Sequence, residues 1–207
     1  MGGIHLLDVD ELAHRFFSGE GSVNEVTEQY SREEICDFMR EKLAEIEAEV
    51  SGMTPDQLAY RLPGVPSGPD ASGDEAHFDT SELMTHMVSG IAFHWWGMTR
   101  AWKHERPQFP KPPEGVRVTG TKGNVMGAGG WGGASSADLV SGLRAMTEKF
   151  MDYLENLPPD VDKTATASMG PFNKLTAHSW LFLDAVHFAM HLKQIRAMKA
   201  QPDFPVG

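Results

Sequence analysis

The stretch from Leu175 to Ala200 reads Leu-Thr-Ala-His-Ser-Trp-Leu-Phe-Leu-Asp-Ala-Val-His-Phe-Ala-Met-His-Leu-Lys-Gln-Ile-Arg-Ala-Met-Lys-Ala. It contains neither proline nor glycine, and its apolar residues recur at helical spacing. One face of the predicted helix carries Leu183, Val186, Met190 and Ala197. Pro202 follows and prevents the helix from continuing. The sequence therefore predicts one long helix over this stretch, and the other elements are interpreted around it.

Two histidines, His187 and His191, lie four residues apart within this helix. Side chains at that spacing share a face and lie about 6 Å apart, so the two imidazoles can chelate one metal ion. The residues between them are Phe188, Ala189 and Met190, so the Glu of the zinc-protease motif is absent and a protease of that type is disfavoured. Two packed, partly buried histidines are the alternative. A third metal ligand has to come from elsewhere.

Composition favours a single folded domain and excludes several classes of partner. The chain has 207 residues, a formal net charge of −11 and no long cluster of Lys or Arg, so no nucleic-acid partner is expected. No apolar run reaches the length of a membrane span, and no signal peptide is visible. The single cysteine, Cys36, cannot form an intramolecular disulfide, which favours a cytoplasmic location.

Three further long amphipathic helices precede the last one, and no strand pattern is evident. They are predicted over Ser31 to about Ser51, Asp79 to Lys103, and Ser136 to Leu157, with caps at Ser31, at Asp79, Thr80 or Ser81, and at Ser136. Thr54 and Pro55 predict a short helical turn, and Thr176 is the expected cap of the last helix. Residues 1–30 are interpreted as an N-terminal extension, with a short helix over 8–17. The predicted fold is an all-α four-helix bundle over residues 31–207.

The connections predict the order of the helices. Residues 106–135 join the second and third helices, and this length is unusual between antiparallel neighbours. The second helix is about 37 Å long, so the connection is long enough to run back along it as a crossover. The predicted topology is up-down-down-up. The glycine-rich run 127–133 follows no strand and lacks a phosphate-binding Lys-Ser/Thr, so it is not interpreted as a nucleotide loop.

This topology places His86 at the depth of the histidine pair. His86 lies about 10 Å from the start of the second helix, and His191 and His187 lie about 13 and 20 Å from the end of the last helix. His94 lies about 12 Å further along and points roughly 80° away, so it ranks lower. His178 lies on the opposite side of the last helix. The remaining histidines are interpreted as solvated residues of termini or loops: His5, His14, His77 and His104.

The sequence from Gly170 to Ile195 resembles the last-helix signature of the DinB/YfiT-like superfamily. The shared features are a Leu-Thr start, an apolar run and then His-x-x-x-His-x-x-Gln-Ile. The segments Met53-Thr-Pro-Asp-Gln-Leu and Phe78-Asp-Thr-Ser-Glu-Leu-Met-Thr-His-Met resemble that superfamily's second-helix region. The resemblance implies a four-helix bundle in which His86, His187 and His191 bind a divalent ion, with Zn, Ni, Fe or Mn as candidates. Phe78 replaces the usual Trp, and the glycine-rich crossover and the N-terminal extension also depart from the pattern.

The resemblance also suggests chemistry. Relatives include thiol S-transferases and isomerases that use a low-molecular-weight thiol, and proteins labelled as metal-dependent hydrolases. We expect a metal-dependent enzyme that activates a thiol or water toward a small-molecule substrate. Asp184 and Glu82 are candidate catalytic residues, because they lie three and four residues before a predicted ligand. The alternative is a non-catalytic metal- or ligand-binding bundle, related to stress. No membrane partner is expected. The sequence leaves room for a homodimer.

Overall fold

The computed structural model describes residues 23–63, 78–105, 107, 114, 117–119, 130–158, 162, 164–170 and 172–207. The predicted helix over residues 8–17 lies outside these residues, and so does most of the stretch 106–135. His5, His14 and His77 also lie outside them. The division into an extension and a bundle at residue 30 stays a prediction.

The described chain is mostly helical, and four of its helices are long. The helices are α1 (Val23–Thr27), α2 (Arg32–Val50), α3 (Pro55–Leu58), α4 (Thr80–Trp102), α5 (Ser136–Glu155) and α6 (Ala177–Lys199). The four long ones pack together, with α6 against both α4 and α2, and α5 against both α4 and α2. The prediction of four long packed helices is confirmed. None of the described helices is both long and apolar enough to cross a membrane.

Local side-chain chemistry sets where the helices begin. Ser31 caps α2 in a capping box with Glu34, and Thr54 caps α3 in the same way with Gln57. Both predictions are confirmed, as is Thr176 as the cap of α6. The predicted cap Ser136 is wrong by one residue, because Ser135 caps α5. Asp138 lies three residues after Ser135 and completes the box, whereas the residue three after Ser136 is an apolar leucine.

Two short antiparallel strand pairs were not expected. Strand β1 (Arg117–Thr119) pairs with β2 (Gly130–Gly132), and β3 (Thr166–Met169) pairs with β4 (Phe172–Thr176). The β3–β4 hairpin turns at Gly170, whose φ of 55° suits glycine. Asn24 of α1 donates to the carbonyl oxygen of Lys174 and accepts from the Thr176 N–H. The hairpin is thereby fixed at the start of α6.

The centre of the molecule lies between α4 and α6. Both helices are buried around most of their circumference, and the fully buried side chains there include Met84, Met87 and Ile91 of α4 and Trp180, Phe182 and Phe188 of α6. Helices α2 and α5 instead bury one stripe each, which contains Ile35, Met39 and Ile46, and Leu139, Leu143 and Phe150. The polar groups that could carry chemistry are therefore enclosed at the α4–α6 interface.

Candidate metal centre

Two glycines let α4 approach α6 closely. A Cβ atom added at Gly90 would lie 2.5 Å from Cε1 and 2.8 Å from Nδ1 of His187. One added at Gly97 would lie 2.5 Å from Cε2 of Trp180. Each glycine therefore leaves a notch in α4 that a ring from α6 fills. Packing therefore explains why α4 contains two glycines, which weaken a helix.

His86 of α4 meets His187 and His191 of α6 beside the first notch. The ring centroid of His86 lies 4.8 Å from that of His187 and 5.1 Å from that of His191. The rings of His187 and His191 are 4.4 Å apart. One nitrogen from each residue can be chosen so that all three lie within 4.8 Å of one another. The structure thus brings the three predicted ligands together in a group that could hold a metal ion.

A hydrogen bond orients His191. Its Nδ1 lies 2.6 Å from Oε1 of Gln194, one turn further along α6. An amide oxygen only accepts hydrogen bonds, so Nδ1 carries the hydrogen and Nε2 presents the lone pair. Partners of this kind fix the tautomer of metal-binding histidines. Gln194 belongs to the motif quoted from the sequence, but this role was not predicted for it.

The group is buried, and its surroundings favour the neutral form of His187. His86, His187 and His191 are 7%, 8% and 0% exposed. Burial holds the pKa of His187 well below its usual range, and the nearby imidazoles of His191, His86 and His94 act in the same direction. A neutral imidazole is the form that binds a metal ion, so this environment keeps His187 competent as a ligand. Phe78 packs its ring 5.4 Å from that of His86.

A buried polar pair, His94 and Asp184, lies beside His187 at the same α4–α6 interface. Nδ1 of His94 lies 2.6 Å from Oδ1 of Asp184, and both residues are buried. The ring of His94 lies 5.5 Å from that of His187. His94, Asp184 and His187 form another set whose ligand atoms can all lie within 4.8 Å. The sequence argument did not predict the contact between His94 and Asp184, because it lacked the distance between α4 and α6 that the glycines set.

Aromatic rings enclose this pair. Trp180, Phe93 and Phe172 place their ring centroids 6.1, 5.8 and 6.4 Å from that of His94. Trp180 is fully buried and belongs to the hydrophobic core. Burial also raises the pKa of Asp184, and the nearby His94 opposes that rise. Asp184, a candidate catalytic residue from the sequence, thus has His94 as its hydrogen-bond partner.

The other carboxylate suggested as catalytic, Glu82, lies at the N-terminus of α4. It accepts a hydrogen bond from the Asp79 N–H at 3.0 Å and forms an ion pair with Arg61 at 2.8 Å. Glu82 and Asp79 also line a cavity of about 370 Å³, which Met53, Leu58 and residues 132–136 enclose further. The described contacts of Glu82 thus belong to the helix cap and to this cavity.

The remaining described histidines and the cysteine lie apart from the cluster. Nε2 of His178 lies 2.8 Å from the carbonyl oxygen of Tyr30, in the turn between α1 and α2. His104 is exposed and its Nδ1 lies 2.8 Å from the Tyr153 hydroxyl. Burial raises the pKa of Cys36 to about 11, mainly by desolvation. Arg40 and Arg32 oppose the rise, and Asp37 and Glu155 add smaller increases.

Comparison with known proteins adds no relative to this picture. No protein-family model matches the chain, and neither the curated proteins nor the solved structures contain a match to it. The resemblance to the DinB/YfiT-like superfamily consequently stays a prediction from the quoted motifs.

Proposed function

We propose that the protein binds one divalent metal ion through His86, His187 and His191. The observation that carries this proposal is the convergence of three buried imidazoles from two helices, with ligand atoms within 4.8 Å of one another. The donor set fits the ion, because imidazole is a good ligand for Zn, Ni and Fe. A further fit is that Nδ1 of His187 is buried and has no hydrogen-bond partner among the described residues.

We further propose a DinB-like bundle with up-down-down-up topology. Contacts between α4 and α6 run in opposite directions along the two helices, since Gly90 faces His187 and Gly97 faces Trp180. Contacts of two other pairs run in the same direction along both helices. Between α2 and α6, Tyr30 just before α2 contacts Phe182, and Glu49 near the end of α2 contacts Lys199. Between α4 and α5, Thr85 is linked through Trp131 to Gly142, and Trp95 contacts Tyr153 further along both helices. These directions support the proposed topology.

The reaction class we propose is activation of a thiol or water for attack on a small-molecule substrate. A bound divalent ion supplies Lewis acidity, which lowers the pKa of a coordinated water or thiol. Gln194 keeps the Nε2 lone pair of His191 available, and Gly90 leaves room for the ring of His187. A low-molecular-weight thiol is the proposed co-substrate of the transferase version. The protein's own Cys36 is not proposed as the nucleophile, because its raised pKa keeps it protonated.

Asp184 is the carboxylate that the geometry favours for a role in this chemistry. It lies 2.6 Å from His94, whose ring contacts the predicted ligand His187. Asp184 can therefore hold the imidazole of His94 in one orientation beside the proposed metal position. Glu82 is proposed only as a residue that lines the cavity at the start of α4. No nucleic-acid or membrane partner is proposed. A homodimer is the proposed assembly, which measurement of the mass in solution would test.

One observation favours a second candidate, a non-catalytic metal- or ligand-binding bundle. All three histidines are at most 8% exposed. Catalytic metal sites keep a coordination position open to substrate, whereas structural sites are closed. A buried cluster of this kind suits a protein that holds a metal ion for stability, storage or stress sensing.

The first experiment is metal analysis of protein purified without a histidine tag, in the wild type and in His187→Ala. The expected result is about one Zn, Ni, Fe or Mn ion per wild-type chain and loss of that ion in the variant. His178→Gln is the matched control, because it removes a histidine from the other side of α6 and should retain the ion. Absence of metal from the wild type, even after reconstitution, would overturn the proposal.

Turnover then separates the two candidate functions. Thiol transfer or hydrolysis that requires the metal, and that disappears in His86→Ala, supports the enzyme. A tightly bound ion whose removal lowers the melting temperature, in a protein that turns over neither thiol nor ester substrates, supports the binding bundle.

A further inference from the structure

Asp184 is a buried carboxylate with incomplete hydrogen bonding. It is 0% exposed, and only its Oδ1 contacts His94. Its Oδ2 is buried and has no hydrogen-bond partner among the residues that the structure describes. A buried carboxylate oxygen without a partner is costly, and native proteins commonly satisfy such groups with a proton, a water or an ion.

His187 lies in a compact group with His94 and Asp184 and also has an unsatisfied nitrogen. Its Nδ1 is also buried without a hydrogen-bond partner within the described part of the chain. The ring of His94 lies 5.5 Å from that of His187. One atom each from His94, Asp184 and His187 can be chosen so that all three lie within 4.8 Å of one another. Two residues with an unsatisfied buried atom, Asp184 and His187, therefore belong to one compact set of potential metal ligands.

We propose that His94, Asp184 and His187 form a second metal position, distinct from the three-histidine position and suited to Mn²⁺ or Fe²⁺. Two histidines and one carboxylate are a known donor set for iron, and carboxylate ligands suit manganese better than an all-imidazole set does. The negative charge of Asp184 offsets part of the charge of a divalent ion in a buried setting. The three-histidine position, by contrast, offers neutral nitrogen ligands only, which suit Zn²⁺ and Ni²⁺.

The two positions share His187, so they exclude one another unless its ring bridges two ions. The protein then holds one ion per chain, and the identity of the ion decides which end of the cluster is used. Zn²⁺ or Ni²⁺ takes His86 and His191 with His187, and Mn²⁺ takes His94 and Asp184 with His187. The competing explanation is that Asp184 serves only to orient His94, in which case it contributes nothing directly to metal affinity.

Manganese binding to the tag-free protein tests the proposal. Mn²⁺ affinity is measured by EPR titration in the wild type, Asp184→Asn and His86→Ala. Asp184→Asn keeps the size of the side chain but removes the charge, and it should weaken Mn²⁺ binding by roughly 100-fold, at least the loss seen when outer partners of a metal site are removed. His86→Ala should leave Mn²⁺ affinity within about threefold, because His86 lies outside this set. His104→Gln is the control for loss of a histidine elsewhere.

The same variants are then titrated with Ni²⁺, where the pattern should reverse. His86→Ala should weaken Ni²⁺ binding by at least tenfold, and Asp184→Asn should change it little. If His86→Ala weakens both ions and Asp184→Asn neither, the second position is overturned while the three-histidine function stands. If Asp184→Asn weakens both and His86→Ala neither, the second position stands and the proposed function fails.

A measurement on the wild type keeps the test valid if a variant does not fold. Pulsed EPR of bound Mn²⁺ detects the nitrogen nuclei coordinated to the ion. Two histidine nitrogens support the second position, and three nitrogens overturn it. Addition of Ni²⁺ should release Mn²⁺ one for one, because the two ions compete for His187.

Discussion

The α4–α6 interface and the outer helices α2 and α5 are built on different rules. Helices α2 and α5 each bury one apolar stripe and expose charged residues on the other side. Their exposed faces carry ion pairs such as Arg144 with Glu47 at 2.7 Å, and Arg196 of α6 joins Glu45 and Glu49 of α2. The α4–α6 interface instead buries four histidines and an aspartate, and it contains two helical glycines.

The difference indicates where stability and function are located. Burial of an aliphatic stripe stabilises the fold at no cost in unsatisfied polar groups. Buried imidazoles, an incompletely bonded carboxylate and helical glycines all cost stability, and such features are expected at functional sites. The outer helices therefore act as the scaffold, and the α4–α6 interface carries the proposed chemistry. Substitutions in the two regions can test that division.

Substitution in the two regions should separate metal affinity from stability. Phe150→Ala in α5 removes a fully buried ring that lies 5.5 Å from Trp95, and it should lower the free energy of unfolding by about 3–5 kcal/mol. Metal affinity of the folded protein should remain. His187→Ala should abolish metal binding with a smaller change in the stability of the metal-free protein, since it removes a buried nitrogen without a partner.

Chemical denaturation and isothermal titration with Ni²⁺ measure the two quantities for each variant. Equal losses of metal affinity in Phe150→Ala and His187→Ala would contradict the division between scaffold and site.

The glycines provide a matched pair of smaller changes. Gly90→Ala and Gly142→Ala each place a Cβ atom against a ring, His187 in the first case and Trp131 in the second. Each should cost about 1–3 kcal/mol from overpacking, partly offset by about 1 kcal/mol of improved helix propensity. Only Gly90→Ala should also weaken metal binding, by about tenfold or more, because it displaces a predicted ligand. An undiminished affinity in Gly90→Ala would contradict the close contact between α4 and α6.

Cys36 of α2 should make stability depend on alkaline pH. Its pKa is raised from 9.0 to about 11 in the folded protein, so the folded state retains a proton that the unfolded state loses between these values. Stability should therefore fall as the pH rises from about 9 to 11, by up to about 2 kcal/mol from this residue. Urea denaturation of wild type and Cys36→Ala over this range isolates the effect, since other groups titrate in both. If the free energy of unfolding changes with pH in the same way for both proteins, the pKa of the Cys36 thiol is not raised by folding.

The surface pairs should contribute least. Arg196→Gln removes contacts with Glu45 and Glu49, and the arginine side chain is 49% exposed. The expected loss is below about 1 kcal/mol, because exposed ion pairs gain little in water. The loss should shrink further at high salt, and metal binding should not change. Thermal denaturation at low and high salt measures it, and a loss that persists at high salt would indicate packing by the arginine stem.

The sequence predicted those features that depend on neighbours in the chain. Capping pairs such as Ser31 with Glu34, and the helical spacing of His187 and His191, act over three or four residues. His86 was matched to the histidine pair by its distance from the start of its helix, which follows from the constant rise per residue of an α-helix. These local rules account for the four long helices and the three clustered histidines.

Features that depend on contact between distant segments were not predicted. His94 and Asp184 are separated by 90 residues, and their 2.6 Å contact depends on how closely Gly90 and Gly97 allow the helices to approach. The β3–β4 hairpin has strands of only four and five residues. Lys174 adopts a left-handed φ of 53°, which a lysine does not predict. Asn24 supports that hairpin from 150 residues away.

The two ring-filled notches restrict how α4 and α6 can move against each other. Gly90 and Gly97 are seven residues apart, and so are Trp180 and His187, the rings that fill them in opposite order. A shift of one helix along the other would drive both rings into neighbouring side chains at once. The interface is thus locked against sliding, and the helices can part only by bending or separating. For an ion held at His187, we expect exchange with the surroundings to be slow, governed by how often the interface opens.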